Sequence, residues 1–158
     1  MELENCTVGF AMTGSFCTVP QIMPCVKEMS GLGINVIPIV SETLAGTDTR
    51  FGKARDLLEE LEQITGNEVI KSMVEAEPIG PQKMLDILII APCTGNTLSK
   101  IANGITDTSV TLSAKAHLRN GRPIVIGIST NDGLGLTAKN IALLHTARNI
   151  FFVPYGQE

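Results

Sequence analysis

The chain has 158 residues and a formal net charge of −4, with 44% hydrophobic, 18% charged and only 4% aromatic residues. That length suits one compact domain, the composition excludes a disordered chain, and acidity with so few rings argues against a nucleic-acid binder. Fifteen glycines among aliphatic runs point to an α/β fold rich in tight turns. The acidic start, Met1-Glu2-Leu3-Glu4-Asn5, has no basic region of a secretory signal. No apolar run approaches the ~20 residues that span a bilayer, so a cytoplasmic location is expected. Cys6, Cys17, Cys25 and Cys93 contain no CxxC pair and are too dispersed for a disulfide framework.

In chain order, residues 6–12 form an apolar strand stopped by Thr13-Gly14-Ser15. A helix follows and runs to Ser30, ahead of Gly31 and Gly33; Pro20 suits its first turn, while Pro24 would kink it if it starts early. Residues 35–40 form a second strand, and Pro38 favours an edge or a strand end. A polar loop is expected over 41–50. Residues 53–64 form the clearest helix, with Leu57, Leu58, Leu61 and Ile64 on one apolar stripe. Residues 68–77 fit either strand or helix.

Residues 85–91 read as a strand buried on both faces, the signature of a parallel sheet under helices. Helices over 96–102 and 108–118 are separated by Gly104. A buried strand over 123–128, a helix over 139–146 and a strand over 150–153 complete the chain. The alternation predicts a single domain over 1–158, a Rossmann-like doubly wound parallel sheet flanked by helices in three α/β/α layers. Ligands are expected at the carboxyl ends of its strands.

The strand-end turns carry the candidate chemistry. Thr13-Gly14-Ser15-Phe16-Cys17-Thr18 places a glycine between hydroxyl residues at a helix start, which suits a phosphate and equally an ordinary capped turn. It is not a GxGxxG fingerprint. Residues 46–53 imitate a P-loop, but too many residues separate Gly46 from Gly52 and Ala54 follows Lys53, so a Walker A site is excluded. From Ala91 to Asp107 a buried strand delivers Pro92 and small polar residues into a new helix. There Thr94, Asn96 and Thr97 can donate to a ring or a phosphate, and Lys100 adds a cation.

Other residues have two readings each. Arg50 and Lys53 can pair with carboxylate groups or form a solvated face. Asp48, Asp107 and Asp132 can act as acid, base or helix cap. Cys17 and Cys93 lie in ligand-facing turns where a helix start lowers a thiol pKa, although a small buried filler is the commoner role. His117 and His145 fall on predicted helices, where packing or surface roles are expected. No His, Cys and carboxylate cluster has metal-ligand spacing, and no metal is expected.

The string from Ala91 to Asp107 resembles the Ala-Pro-x-Thr/Ser-x-Asn-Thr-x-x-Lys-Ile-Ala-x-Gly-x-x-Asp motif of the flavoprotein family of homo-oligomeric cysteine decarboxylases and their relatives. Residues 13–18, 38–41, 47–54, 127–136 and 149–157 narrow the likeness to a branch made of the B subunits of a two-subunit synthase. The resemblance implies FMN at the strand ends, its phosphate at Thr13, Gly14 and Ser15. Ser41 would flank the flavin, Pro92, Thr94, Asn96 and Thr97 would hold its ribityl chain or ring, and Asp107 belongs to the same motif.

For activity, the resemblance implies oxidation of a dihydrodipicolinate-type precursor, a small cyclic dicarboxylate, to dipicolinate during spore formation. A dehydrogenase-like A subunit carrying NADP or NAD would be the partner, and self-association into a trimer or larger assembly is implied as well. Arg50, Lys53 and Asn131 are the candidate catalytic groups. Two departures matter. The region 41–51 lacks the His of the decarboxylase branch, and Ser129-Thr130-Asn131-Asp132 keeps the Asn of the Pro-Ala-Met-Asn clamp but loses its Met. Cysteine decarboxylation is therefore disfavoured, leaving as alternatives a stabilising subunit without flavin and, last, a stand-alone FMN-dependent decarboxylase. Family members continue further, so their C-terminal extension is expected to be absent.

Overall fold

Five aliphatic segments pair in parallel in the computed structural model, which describes residues 3–156. They are β1 (Thr7–Met12), β2 (Asn35–Val40), β3 (Ile87–Thr94), β4 (Ile124–Ser129) and β5 (Ile150–Phe152), in the sheet order β2-β1-β3-β4-β5. The helices are α1 (Val19–Gly31), α2 (Glu42–Gly46), α3 (Ala54–Thr65), α4 (Met73–Ala76), α5 (Gly95–Ala102), α6 (Ser109–Arg119) and α7 (Ala138–His145). From β1 the chain runs outward to β2 on one side and returns to β3 on the other. The turns after β1 and β3 therefore diverge around a crevice at the carboxyl edge, where doubly wound sheets bind ligands.

Two apolar layers sandwich the sheet. On one face Phe10, Met12, Val36 and Val40 pack with Val19, Met23 and Val26 of α1 and Leu61 of α3. On the other Ala11, Ile39, Leu88, Ile90, Ile124 and Ile126 pack with Leu98, Val110, Ala114 and Ile141 of α5, α6 and α7. The doubly wound sheet and the edge position of Pro38 agree with the sequence reading. Pro24 lies inside α1 on its exposed side, beyond the first turn occupied by Pro20.

Three stretches differ from expectation. Residues 41–50 are not all loop, because Ser41 caps α2 by accepting from the Leu44 amide at 3.3 Å. Residues 68–77 divide: Ile70 bridges Ile39 in parallel, then Ser72 caps the short α4. β3 starts two residues later and runs three residues further than predicted, with an irregular register between Ile90 and Cys93. Asp86 is excluded from it because its carboxylate accepts the Thr7 amide at 2.9 Å. No helix among the described residues is long and apolar enough to cross a membrane. Met1, Glu2 and Gln157, which figure in the terminal motifs, lie outside the described residues.

Candidate functional site

The turn after β1 and the end of β4 meet at a triangle of hydroxyls. Ser15 Oγ lies 2.6 Å from Ser129 Oγ and 3.0 Å from Thr18 Oγ1, and Thr18 Oγ1 lies 2.9 Å from Ser129 Oγ. The three are partly buried immediately before α1. The Gly14, Phe16 and Cys17 amides of the same turn find no acceptor among the described residues. Hydroxyls that bond one another and make no bond to the backbone, with the Cys17 thiol 3.9 Å from Thr18 Oγ1, stand beside bare amides at the positive end of a 13-residue helix, a donor cradle that suits an oxyanion.

Thr13 plays a different part. Its hydroxyl donates to the Pro92 carbonyl at 2.7 Å and accepts the Thr94 amide at 3.0 Å, and its own amide donates to Pro92 at 3.1 Å. It is buried, and it clamps the carboxyl ends of β1 and β3 together. Ser41 is buried likewise, its amide donating to Met12 and its hydroxyl capping α2. Thr94 caps α5 through the Thr97 amide at 3.2 Å, and the Thr94 and Thr97 hydroxyls lie 3.1 Å apart. Asn96 is the exposed member of this turn, and its side chain has no hydrogen bond among the described residues.

Lys100 is not a free cation for the cradle. Its ammonium contacts both carboxylate oxygens of Asp107, at 2.9 and 3.1 Å, tying α5 to the start of α6. Beyond β4, Asn131 is exposed, whereas Asp132 accepts from the amide and hydroxyl of Thr137 at 3.3 and 3.4 Å. Asp132 thus acts as a brace for the turn into α7. The same turn crowds α5: a Cβ at Gly95 would lie 3.1 Å from Thr137 Oγ1 and 3.2 Å from Thr130 Oγ1.

Beside the cradle opens a cleft of about 350 Å³, lined by Phe16, Met23, Leu44, Phe51 and Leu57, with Lys53 at its margin. Arg50 is exposed and stacks its guanidinium 4.8 Å from the Phe51 ring centre. Its turn is stiffened by the Thr49–Gly52 bridge and by Asp48, which accepts the Ala54 amide at 2.9 Å. Asp48 is therefore a helix cap. Of the thiols, Cys93 is fully buried and burial pushes its pKa up to about 12, so its thiolate is suppressed. Cys17 is exposed. His117 is buried in the core and His145 is exposed, stacking 4.4 Å from Phe152.

The chain is similar in sequence and fold to known proteins. The family model described as Flavoprotein matches residues 1–156. This chain belongs to the flavoprotein family. It is 46% identical over 157 residues to the dipicolinate synthase B subunit of Bacillus subtilis (strain 168), covering 99% of this chain and 78% of that one. It superimposes on the crystal structure of the dipicolinate synthase B subunit from Bacillus halodurans with a TM-score of 0.89 and 47% identity, over 100% of this chain and 81% of that one. The fold is shared more distantly with Burkholderia xenovorans DmrB, solved in complex with FMN and described as a cubic protein cage for redox transfer. That likeness has a TM-score of 0.78 at 18% identity, over 96% and 89% of the two chains.

The donor set of this flavoprotein-family chain suits the phosphate end of a flavin mononucleotide: three hydroxyls and bare amides on a helix N-terminus. Thr18 and Ser129 stand in the turn 13–18 and in the 129–132 stretch, but the sequence assigns neither of them to the cofactor site. Their only local signal is a hydroxyl residue closing β4 and another closing the first turn, and neither points to the other without the fold.

Proposed function

We propose that this chain is the B subunit of a dipicolinate synthase and holds FMN at the carboxyl edge of its sheet. The observation that carries the reading is the Ser15–Thr18–Ser129 triangle, built at the switch point of a chain 46% identical to a dipicolinate synthase B subunit. Bound flavin supplies two-electron redox chemistry. Ser15, Thr18, Ser129 and the Gly14 and Phe16 amides hold the phosphate, while Thr13, Ser41 and Pro92 keep the strand ends in place around it. Asn96 offers a free carboxamide to the ring or ribityl chain, and Thr94 and Thr97 form the floor beneath. Asp107 acts through Lys100, holding α5 in register.

The substrate is a small cyclic dicarboxylate of the dihydrodipicolinate type. Arg50, oriented by Phe51, and Lys53 pair with its carboxylates, because guanidinium and ammonium groups match carboxylate charge and geometry. Asn131, exposed after β4, lies free to contact the ring. Oxidation to dipicolinate removes a hydride and a proton from the ring. The partner is the A subunit of dipicolinate synthase, a dehydrogenase-like chain whose NADP or NAD is the second electron carrier. The B subunits self-associate into a trimer or larger assembly in the cytoplasm of the sporulating cell.

A second reading, a stabilising subunit without flavin, draws support from the absence of any His over 41–51. One experiment separates the two: add FMN to the purified protein, desalt, and record the visible spectrum, then mix with the dehydrogenase-like partner chain and assay dipicolinate. Retained flavin bands with flavin-dependent product formation support the flavin site. No bands at saturating FMN, with product formed all the same, would establish the stabilising role instead.

A further inference from the structure

A second cavity opens between α5 and α6. Thr111, Ala114, Lys115, Leu118 and Arg119, at i, i+3, i+4, i+7 and i+8, place one stripe of α6 along it. The end of α5 supplies the other wall. There the Ile105 amide reaches back to the Lys100 carbonyl at 2.9 Å across Gly104, whose φ of 70° suits glycine, and the turn brings Ile105 to the same space as Ile101. The floor is continuous with the core, because Ala114 is buried and Ile101 and Leu118 pack half-buried against the larger apolar cluster. Ile105 is 48% exposed, an aliphatic side chain left open beside a space of about 380 Å³. The charged groups around this space are both cations. Lys115 and Arg119 are exposed, make no ion pair among the described residues, and share the lining with no carboxylate. Asp107, just past the turn, is occupied by Lys100. Thr111 spends its hydroxyl on the cap of α6, whereas the half-buried Thr106 hydroxyl has no hydrogen bond among the described residues.

We propose that this cavity binds a small amphipathic carboxylate, its apolar body against Ile101, Ile105, Ala114 and Leu118 and its anionic end between Lys115 and Arg119. Small-molecule sites are mostly apolar with a few placed polar groups, and a volume of about 380 Å³ lies within their usual range of roughly 300–1,000 Å³. Covering Ile105 supplies the apolar driving force. A guanidinium and an ammonium one helical turn apart match the charge of a carboxylate, and two unpaired cations in a chain of net charge −4 give the site its sign. A neutral apolar ligand would leave both cations without a partner. A dicarboxylate would put its second charge against the aliphatic wall, where no cation stands. The lining shares no residue with the cleft beside the Ser15 turn, so the inference does not rest on the flavin reading.

The probe is octanoate, titrated into the full 158-residue protein without flavin, with 1-octanol as the neutral control. Saturable shifts of the Ile101, Ile105 and Leu118 methyl resonances are expected with octanoate. Lys115→Gln combined with Arg119→Gln is expected to weaken octanoate roughly tenfold at low ionic strength, the effect of losing two partly solvated ion pairs, and to leave octanol unchanged. Both positions are exposed, so the fold survives the change. Ile105→Asp, on the opposite wall, is expected to abolish binding of either compound. No methyl shift below the micelle concentration of octanoate, equal affinity for octanoate and octanol, or full affinity in the double variant would overturn the proposal. So would a fall in oligomeric mass on Ile105→Asp, since the cavity would then be covered by a second copy.

Discussion

Ser15 and Ser129, 114 residues apart in sequence, hold their hydroxyls 2.6 Å apart between the end of β1 and the end of β4. Neither oxygen is committed to the backbone, so each is free to turn towards an anion. Replacing Ser129 with Ala removes one donor from the cradle while Ser15 and Thr18 still bond each other at 3.0 Å. A hydrogen bond to a charged group is worth about 1.5–3 kcal/mol, or roughly ten- to hundredfold in affinity. FMN affinity, read by flavin fluorescence, is expected to fall by that factor, while riboflavin, which lacks the phosphate, binds the variant and the parent alike. An equal loss for both ligands would move the phosphate elsewhere.

Thr13, by contrast, is expected to act on stability. Its hydroxyl is the acceptor for the Thr94 amide and a donor to Pro92, all within the buried junction of β1 and β3. Thr13→Val keeps the shape and deletes both bonds, leaving the Thr94 amide unpaired at a cost of about 1–3 kcal/mol. Urea unfolding should show a lower midpoint with an unchanged slope. A variant as stable as the parent but poor in flavin retention would make Thr13 a direct ligand after all.

The contrast between Thr13 and Ser129 shows what a linear reading can reach. Apolar runs such as 85–91 and the Leu57–Leu61–Ile64 stripe announce their elements because burial imposes periodicity on them. The candidate turns are legible too, since Gly14 and Ser15 follow a strand and Thr94 to Thr97 open a helix. What stayed hidden depends on pairing at long range. Thr13 looks like a ligand until Pro92 and Thr94, some eighty residues on, claim its hydroxyl. Lys100 looks like a phosphate cation until Asp107 takes its charge. The five-residue α2 leaves no periodic signal because it is too short for a stripe, and part of its anchorage is remote: the Glu42 carboxylate accepts the Ser109 amide at 2.9 Å, capping α6.

The turn into α7 offers a test of coupling. A Cβ on Gly135 would lie only 1.9 Å from Asp132 Oδ1, so Gly135→Ala must displace that carboxylate. The clash falls on Oδ1, and the Thr137 amide and hydroxyl bond Oδ2 of the same carboxylate, so a rotation that relieves the one is expected to weaken the others. Gly135→Ala and Asp132→Ala are therefore expected to lower thermal stability by similar amounts, and the double variant by little more than either, since both remove one brace. Additive losses would show that Gly135 is needed for another reason.

The last prediction concerns pH. His117 is wholly buried, with Nε2 2.9 Å from the Pro123 carbonyl, and its Nδ1 has no partner among the described residues. A carbonyl only accepts, so Nε2 carries the proton and Nδ1 is a bare lone pair. Protonation would place an N–H with no acceptor in the apolar core. Burial holds the pKa below its ordinary value; the Pro123 carbonyl and Asp86 oppose that lowering, and Arg122 adds to it. A base whose pKa is lower folded than unfolded takes up its proton mainly on unfolding. Its contribution to stability is complete above the unfolded value of about 6.5 and is lost as pH falls from there through the folded value. His117→Gln keeps a donor for Pro123 and removes the titration. Between pH 7.5 and 5.5 the parent is expected to lose stability more steeply than the variant in urea unfolding, and parallel pH profiles would assign the acid sensitivity to another group.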